Sequence, residues 1–126
     1  MNEVRLITVN IATDGSGAFT QKTPEINGNL LQMRYVVDGT TPLPNTADLS
    51  ITGTQTGISY FSTTDVGSSS FTKAIRQATH DTAGVASLYA AAGEPVEAEM
   101  AVAEQLTVTV ANGGDTKVGT LYLWVG

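Results

Sequence analysis

The 126-residue chain has no cysteine, a single histidine and only six lysines and arginines. Without thiols there is no disulfide, no thiolate metal site and no cysteine nucleophile. Twelve acidic residues against six basic ones give a formal net charge of −6. Binding nucleic-acid phosphates or an anionic membrane surface through bulk charge needs clustered Lys and Arg, so neither partner is expected. No apolar run approaches the roughly 18 residues of a membrane span. The opening "MNEVRLITVNIATDG" has no basic region leading into a long apolar one, so no secretory signal is expected and synthesis in a cytoplasm is the default. Charged residues make up 14% of the chain, well below the usual quarter.

Thr, Ser, Asn and Gly supply the polarity that charge does not, and this mixture suits strands and turns. The length is that of one domain, residues 1–126, able to build a core without staples. Alternation with a period of two recurs from end to end. Ile7, Val9 and Ile11 are separated by Thr8 and Asn10, and Asp14-Gly15-Ser16-Gly17 then turns the chain toward a short return strand at 18–21. Leu31, Met33, Tyr35 and Val37 share one face of a middle strand, with Gln32 and Arg34 on the other. Leu49 and Ile51 pair across Thr56-Gly57 with Ile58 and Tyr60. "QLTVTVANGGDTKVGTLYLWVG" reads as a closing hairpin. Two segments stay open between strand and helix: 71–79, where Phe71, Lys73 and Ile75 alternate but Phe71, Ile75 and Ala78 could share a helical face, and the alanine-rich 86–92. About eight strands at this spacing predict an all-β, antiparallel sandwich, jelly-roll or immunoglobulin-like, with little helix.

Catalytic chemistry is sparse. His80 has Asp81 beside it, but neighbours on a strand point to opposite faces, so a triad is not expected. Glu94, Glu97, Glu99 and Glu104 lie in one alanine-rich stretch and read as a solvated edge or docking face. The aspartates at 14, 38 and 48 lack calcium-loop spacing and fit Asx turns instead. No enzyme, metal or cofactor is expected. Lys73 and Arg76, with Arg34, offer a modest basic spot that could pair with the Glu94–Glu104 face of a neighbouring subunit. The aromatic anchors are Tyr35, Tyr60, Phe61, Tyr89, Tyr122 and Trp124. Adjacent Tyr60 and Phe61 should face opposite ways. Tyr122 and Trp124 should share one face of a strand whose other face carries Leu121, Leu123 and Val125, so this strand is covered on both sides.

The order of segments resembles small structural proteins from the virions of tailed bacteriophages, of the head-decoration or cement kind. The likeness rests on Asp14-Gly15-Ser16-Gly17-Ala18, Asn27-Gly28 before the strand to Tyr35, "ADLSITGTQTGI", "IRQATHDTAGVA" and "VANGGDTKVGTLYLWVG". It implies a β-sandwich that assembles as an oligomer or lattice with the major capsid protein or other virion subunits, without catalysis or cofactor. A head–tail junction or spike position is equally compatible. The expected contact residues are Tyr60, Phe61, Lys73, Arg76, Glu97, Glu99, Tyr122 and Trp124. The rival reading is a carbohydrate-binding module stacking sugars on Trp124, Tyr122 and Tyr60.

Overall fold

Alternating β-branched and polar residues, broken by Gly, Asn and Asp, form strands throughout the computed structural model, which describes residues 3–88, 90–91, 93–94 and 96–126. The described residues form ten: β1 (Arg5–Ala12), β2 (Phe19–Lys22), β3 (Ile26–Val37), β4 (Asp48–Gly53), β5 (Ser59–Thr63), β6 (Phe71–Ala74), β7 (Arg76–Ala78), β8 (Glu97–Glu104), β9 (Leu106–Ala111) and β10 (Val118–Val125). The described residues contain no helix. The stretch 71–79 is therefore strand, with a kink at buried Ile75 between β6 and β7. Of 86–92, Tyr89 and Ala92 lie outside the described residues.

All strand pairings are antiparallel. They nest, β1 with β10, β2 with β9, β3 with β8 and β4 with β5, as in one long hairpin rolled over on itself. Rolling divides the strands between a larger sheet, ordered β1-β10-β3-β8-β7 with β6 also on β3, and a smaller one, ordered β2-β9-β4-β5. This is the jelly-roll form of the β-sandwich. One core fills the space between the sheets, with Val9, Ile11, Met33, Leu121 and Leu123 from the large sheet meeting Leu49, Ile51, Leu106, Val108 and Val110 from the small one.

Two expected hairpins are absent. The segments around Ile11 and Phe19 belong to different sheets, and so do β9 and β10. Alternation reports which residues face inward but is silent on which strand lies alongside, and in a rolled hairpin consecutive strands cross between sheets. The β4–β5 hairpin, at the tip of the roll, is the local pairing that forms as expected. A second departure is in β3, where the register slips opposite Trp124 and Val125: Trp124 pairs with Gln32, Val125 with Leu30. The extra residue in this bulge is Leu31, which moves off the inward face while Leu30 takes the core position.

The passages between sheets hold one another. The passage from β1 to β2 lies against the returning one from β9 to β10. There the Thr13 amide donates to the Lys117 carbonyl at 2.8 Å, the Lys117 amide to Thr13 Oγ1 at 2.8 Å, and Thr13 Oγ1 to the Gly114 carbonyl at 2.7 Å. Gly17, at φ 78°, packs so closely that an added Cβ would fall 2.8 Å from the Gly114 nitrogen. At the next pair of passages the Thr23 amide donates to the Leu106 carbonyl at 2.8 Å and the Leu106 amide to Thr23 Oγ1 at 3.0 Å. Thr13 and Thr23 are both buried. Replacing Thr23 by Val keeps the shape but strands the buried Leu106 amide, so Thr23→Val should cost about 1–3 kcal/mol. The exposed Thr20→Val on β2 should change stability by less than about 0.5 kcal/mol. Urea midpoints of the two variants check this.

Candidate functional site

The large sheet has an outer face as well as a core face, and on it the alternation of β10 places Thr120, Tyr122 and Trp124. Cross-strand register builds rows: Leu6, Trp124, Gln32 and Ala74 in one, Thr8, Tyr122, Arg34 and Thr72 in the next. The Tyr122 and Trp124 rings lie 6.3 Å apart between centroids, tilted by 47°. Both side chains are half-buried, whereas Leu121, Leu123 and Val125 on the other face are 0–1% exposed. Leu6 is 53% exposed and Val4 61%. Val4 and Leu31 converge over Gly126, where an added Cβ would lie 3.3 Å from Val4 Cγ2 and 3.4 Å from Leu31 Cδ1. An apolar strip of Val4, Leu6, Leu31, Tyr122 and Trp124 thus faces outward from a sandwich whose interior is already filled. The Leu31 bulge that the period-two pattern could not show helps complete it. Arg34 borders the strip with Nη1 donating to Thr72 Oγ1 at 2.8 Å.

The other expected contact residues divide between locations. Arg76 sits opposite Glu99, and Glu97 opposite Ala78, all exposed or partly exposed on the same outer face beyond the strip. Lys73 pairs with inward-facing Met33 and lines a cleft at the sandwich edge together with Phe61. Lys73 and Arg76 therefore make no joint basic spot: Lys73 on β6 shares the inward face of Met33, whereas Arg76 on β7 shares the outer face of Glu99. Opposite charges at Arg76 and Glu99 are cross-strand neighbours within one chain. Tyr60 and Phe61 also depart from the expected opposition. A bulge in β5 leaves Ile51 opposite Phe61 and Thr52 opposite Ser59. Tyr60 is buried and Phe61 packs against the core.

Glu104, expected on a solvated acidic edge, is 6% exposed. Its position on β8 follows buried Met100 and Val102 at intervals of two, a signal that marked it as inward. Its carboxylate gathers the β4–β5 turn: Oε1 accepts from the Gln55 amide at 2.7 Å and the Thr56 amide at 2.9 Å, Oε2 from the Thr56 hydroxyl and from the Tyr60 hydroxyl at 3.3 Å. A side chain at Gly53 would collide with this carboxylate and with Thr56 Oγ1. The Thr56 hydroxyl foremost, then the Thr56 and Gln55 amides and the Tyr60 hydroxyl, hold the Glu104 pKa below its ordinary value. Burial first, and the Glu104 charge next, raise that of Tyr60. The loop aspartates serve their own turns: Asp14 Oδ1 accepts from the Ser16 and Ala18 amides, Asp38 Oδ2 from those of Thr40 and Thr41. These amide bonds lower both aspartates' pKa values. Asp81 Oδ1 likewise accepts from the Ala83 and Val85 amides, while His80 is exposed beside it. Among the described residues no group of three or more His, Asp or Glu is placed to hold a metal ion, and no helix is long and apolar enough to cross a membrane.

Leu123→Ala empties a fully buried position and should cost about 2–5 kcal/mol. Trp124→Ala, on the outer face of the isolated chain, should lower the urea midpoint distinctly less than Leu123→Ala. Glu104 is held below its unfolded pKa, so its contribution is complete above the unfolded value, about 4.3, and is lost as pH falls through the lower folded value. Stability measured by urea unfolding should therefore decline in acid. Glu104→Gln should lower stability near neutral pH and make the acid decline shallower, with Asp14 and Asp38 accounting for part of what remains.

Compared with known proteins, the chain matches no family model, no curated protein and no solved structure.

Proposed function

We propose that this chain is a non-enzymatic structural protein of a tailed-bacteriophage virion, a decoration or cement subunit that stabilises the head shell by docking the outer face of its large sheet on other protein subunits. The observation that carries the reading is the strip of Val4, Leu6, Leu31, Tyr122 and Trp124. Contiguous apolar side chains on the outside of a filled sandwich are most economically explained by a partner that covers them. Half-buried Tyr and Trp are the side chains that most often anchor such contacts, because they combine large apolar area with few rotatable bonds. Arg34 borders the strip, and Arg76, Glu97 and Glu99 lie beyond it on the same face with both signs of charge, which sets orientation and register more than affinity. Shell subunits occur in symmetric copies, so one modest patch is multiplied around an axis. The sequence resemblance to head-decoration proteins supplies the setting. Jelly rolls also recur in viral capsid domains, which supports the setting by fold analogy alone.

One observation favours a second reading. Gln32, Arg34 and Thr8 flank Trp124 and Tyr122 in adjacent register positions, an aromatic platform bordered by hydrogen-bonding groups that would also suit a sugar chain. Jelly rolls also serve as lectin domains.

Native mass spectrometry and light scattering of the intact chain separate the two readings. Docking predicts self-association, or co-sedimentation with purified phage shells, that Leu6→Asp abolishes without moving the thermal midpoint. A chain that stays monomeric, ignores shells and is retained on a polysaccharide column until Trp124 is replaced by Ala would overturn the structural reading in favour of the glycan one.

A further inference from the structure

The rolled hairpin closes on one side and gapes on the other. Among the described residues β5 ends the small sheet and β6 pairs only with β3, and between these two strands lies a cleft of about 440 Å3. Phe61 comes from β5, Phe71 and Lys73 from β6, and the loop between the strands adds Val66 and a run of serines. The two phenyl rings lie 6.3 Å apart at an interplanar angle of 35°, and Phe71 stacks in turn on buried Tyr35 at 5.6 Å, so the floor is anchored in the core. Ser70 Oγ accepts from the Val37 amide at 3.0 Å and fixes the end of the loop to β3. Among the described residues lining the cleft, Lys73 is the only charged one, although acids outnumber bases two to one in the whole chain.

We propose that this cleft binds small apolar carboxylates, compounds with a ring or branched alkyl body and one anionic head. The volume falls in the range of small-molecule sites, about 300–1,000 Å3, and the lining has their composition: an aromatic floor with few polar groups at the rim. The apolar body seats against Phe61, Phe71 and Val66. The head meets the Lys73 ammonium, and the hydroxyls of Ser68 and Ser69 can donate to whichever oxygens it leaves free. An extended peptide is a poorer occupant even though both strands have open edges among the described residues. β5 is bulged at Tyr60, and β6 is four residues long, carries Lys73 and kinks into β7, features that discourage strand addition. The site stands apart from the docking face: it lies between the sheets, not on the outside of one, so either proposal can fail alone.

The test is a titration of the full chain with phenylacetate, followed residue by residue through amide NMR shifts, with 2-phenylethanol as the uncharged match. Saturable shifts should centre on Phe61, Val66, Ser69 and Phe71. The alcohol should bind about tenfold more weakly, as expected for loss of one hydrogen bond to a charged group. Lys73→Met should reduce affinity for the acid to that for the alcohol while leaving alcohol binding and the thermal midpoint unchanged. No shifts at the solubility limit, shifts confined to the Trp124 face, equal affinity for acid and alcohol, or an acid affinity indifferent to Lys73→Met would each overturn the proposal.

Discussion

A chain that rolls a long hairpin into two sheets must cross between them repeatedly, and at each crossing the backbone leaves one ladder before it joins another. Amides and carbonyls at such corners lose water as the sandwich closes, and any left unpaired costs as much as a lost hydrogen bond. Here the outgoing and returning passages lie against each other and share their bonds. Thr13 and Thr23 contribute both backbone and hydroxyl groups to the two corners. Together with Glu104, which gathers the turn at the tip of the roll, they are the buried polar side chains among the described residues apart from the tyrosines Tyr35 and Tyr60. Each therefore sits where the topology creates an unpaired backbone, and none is an isolated charge awaiting a substrate.

The closed corners decide what remains available for binding. Because nesting puts β10 between β1 and β3, the aromatic face of β10 is flanked by strands on both sides and cannot curl away from solvent. Its apolar surplus becomes an outward strip. On the opposite side, the same roll leaves β5 and β6 without a common partner, and the gap between them becomes a cleft. One topology thus produces both an outward apolar strip and an edge cleft.

Most elements were legible from alternation alone. The inward sets Val9 and Ile11, Met33 and Tyr35, Leu49 and Ile51, and Leu121 and Leu123 all lie in the core. Failures occurred where the period of two is interrupted or where a residue type misleads. Leu31 and Tyr60 sit at bulges, which shift parity by one residue and leave no mark in composition. Glu104 reads as a surface residue by its charge, although its spacing from Met100 and Val102 places it inside. Lys73 and Arg76 read as one basic cluster because they are close in sequence, yet β6 and β7 turn them to opposite faces. The cleft had no sequence signature, since its serines read as an ordinary loop and its two phenylalanines come from different sheets.

The amino-acid sequence by itself determined that this protein is built of strands, which side chains of each strand seek the interior, and where the chain turns, because these depend on neighbours one to four residues away. It also determined that bulk positive charge and thiol chemistry are absent. Only the tertiary structure decided that β1 pairs with β10 and not with β2, that the β9–β10 segment spans two sheets, and that the aromatic strip and the cleft exist at all. Those outcomes depend on contacts between residues as far apart as Arg5 and Val125, where loop-closure entropy, corner hydrogen bonding and shared core volume are settled together.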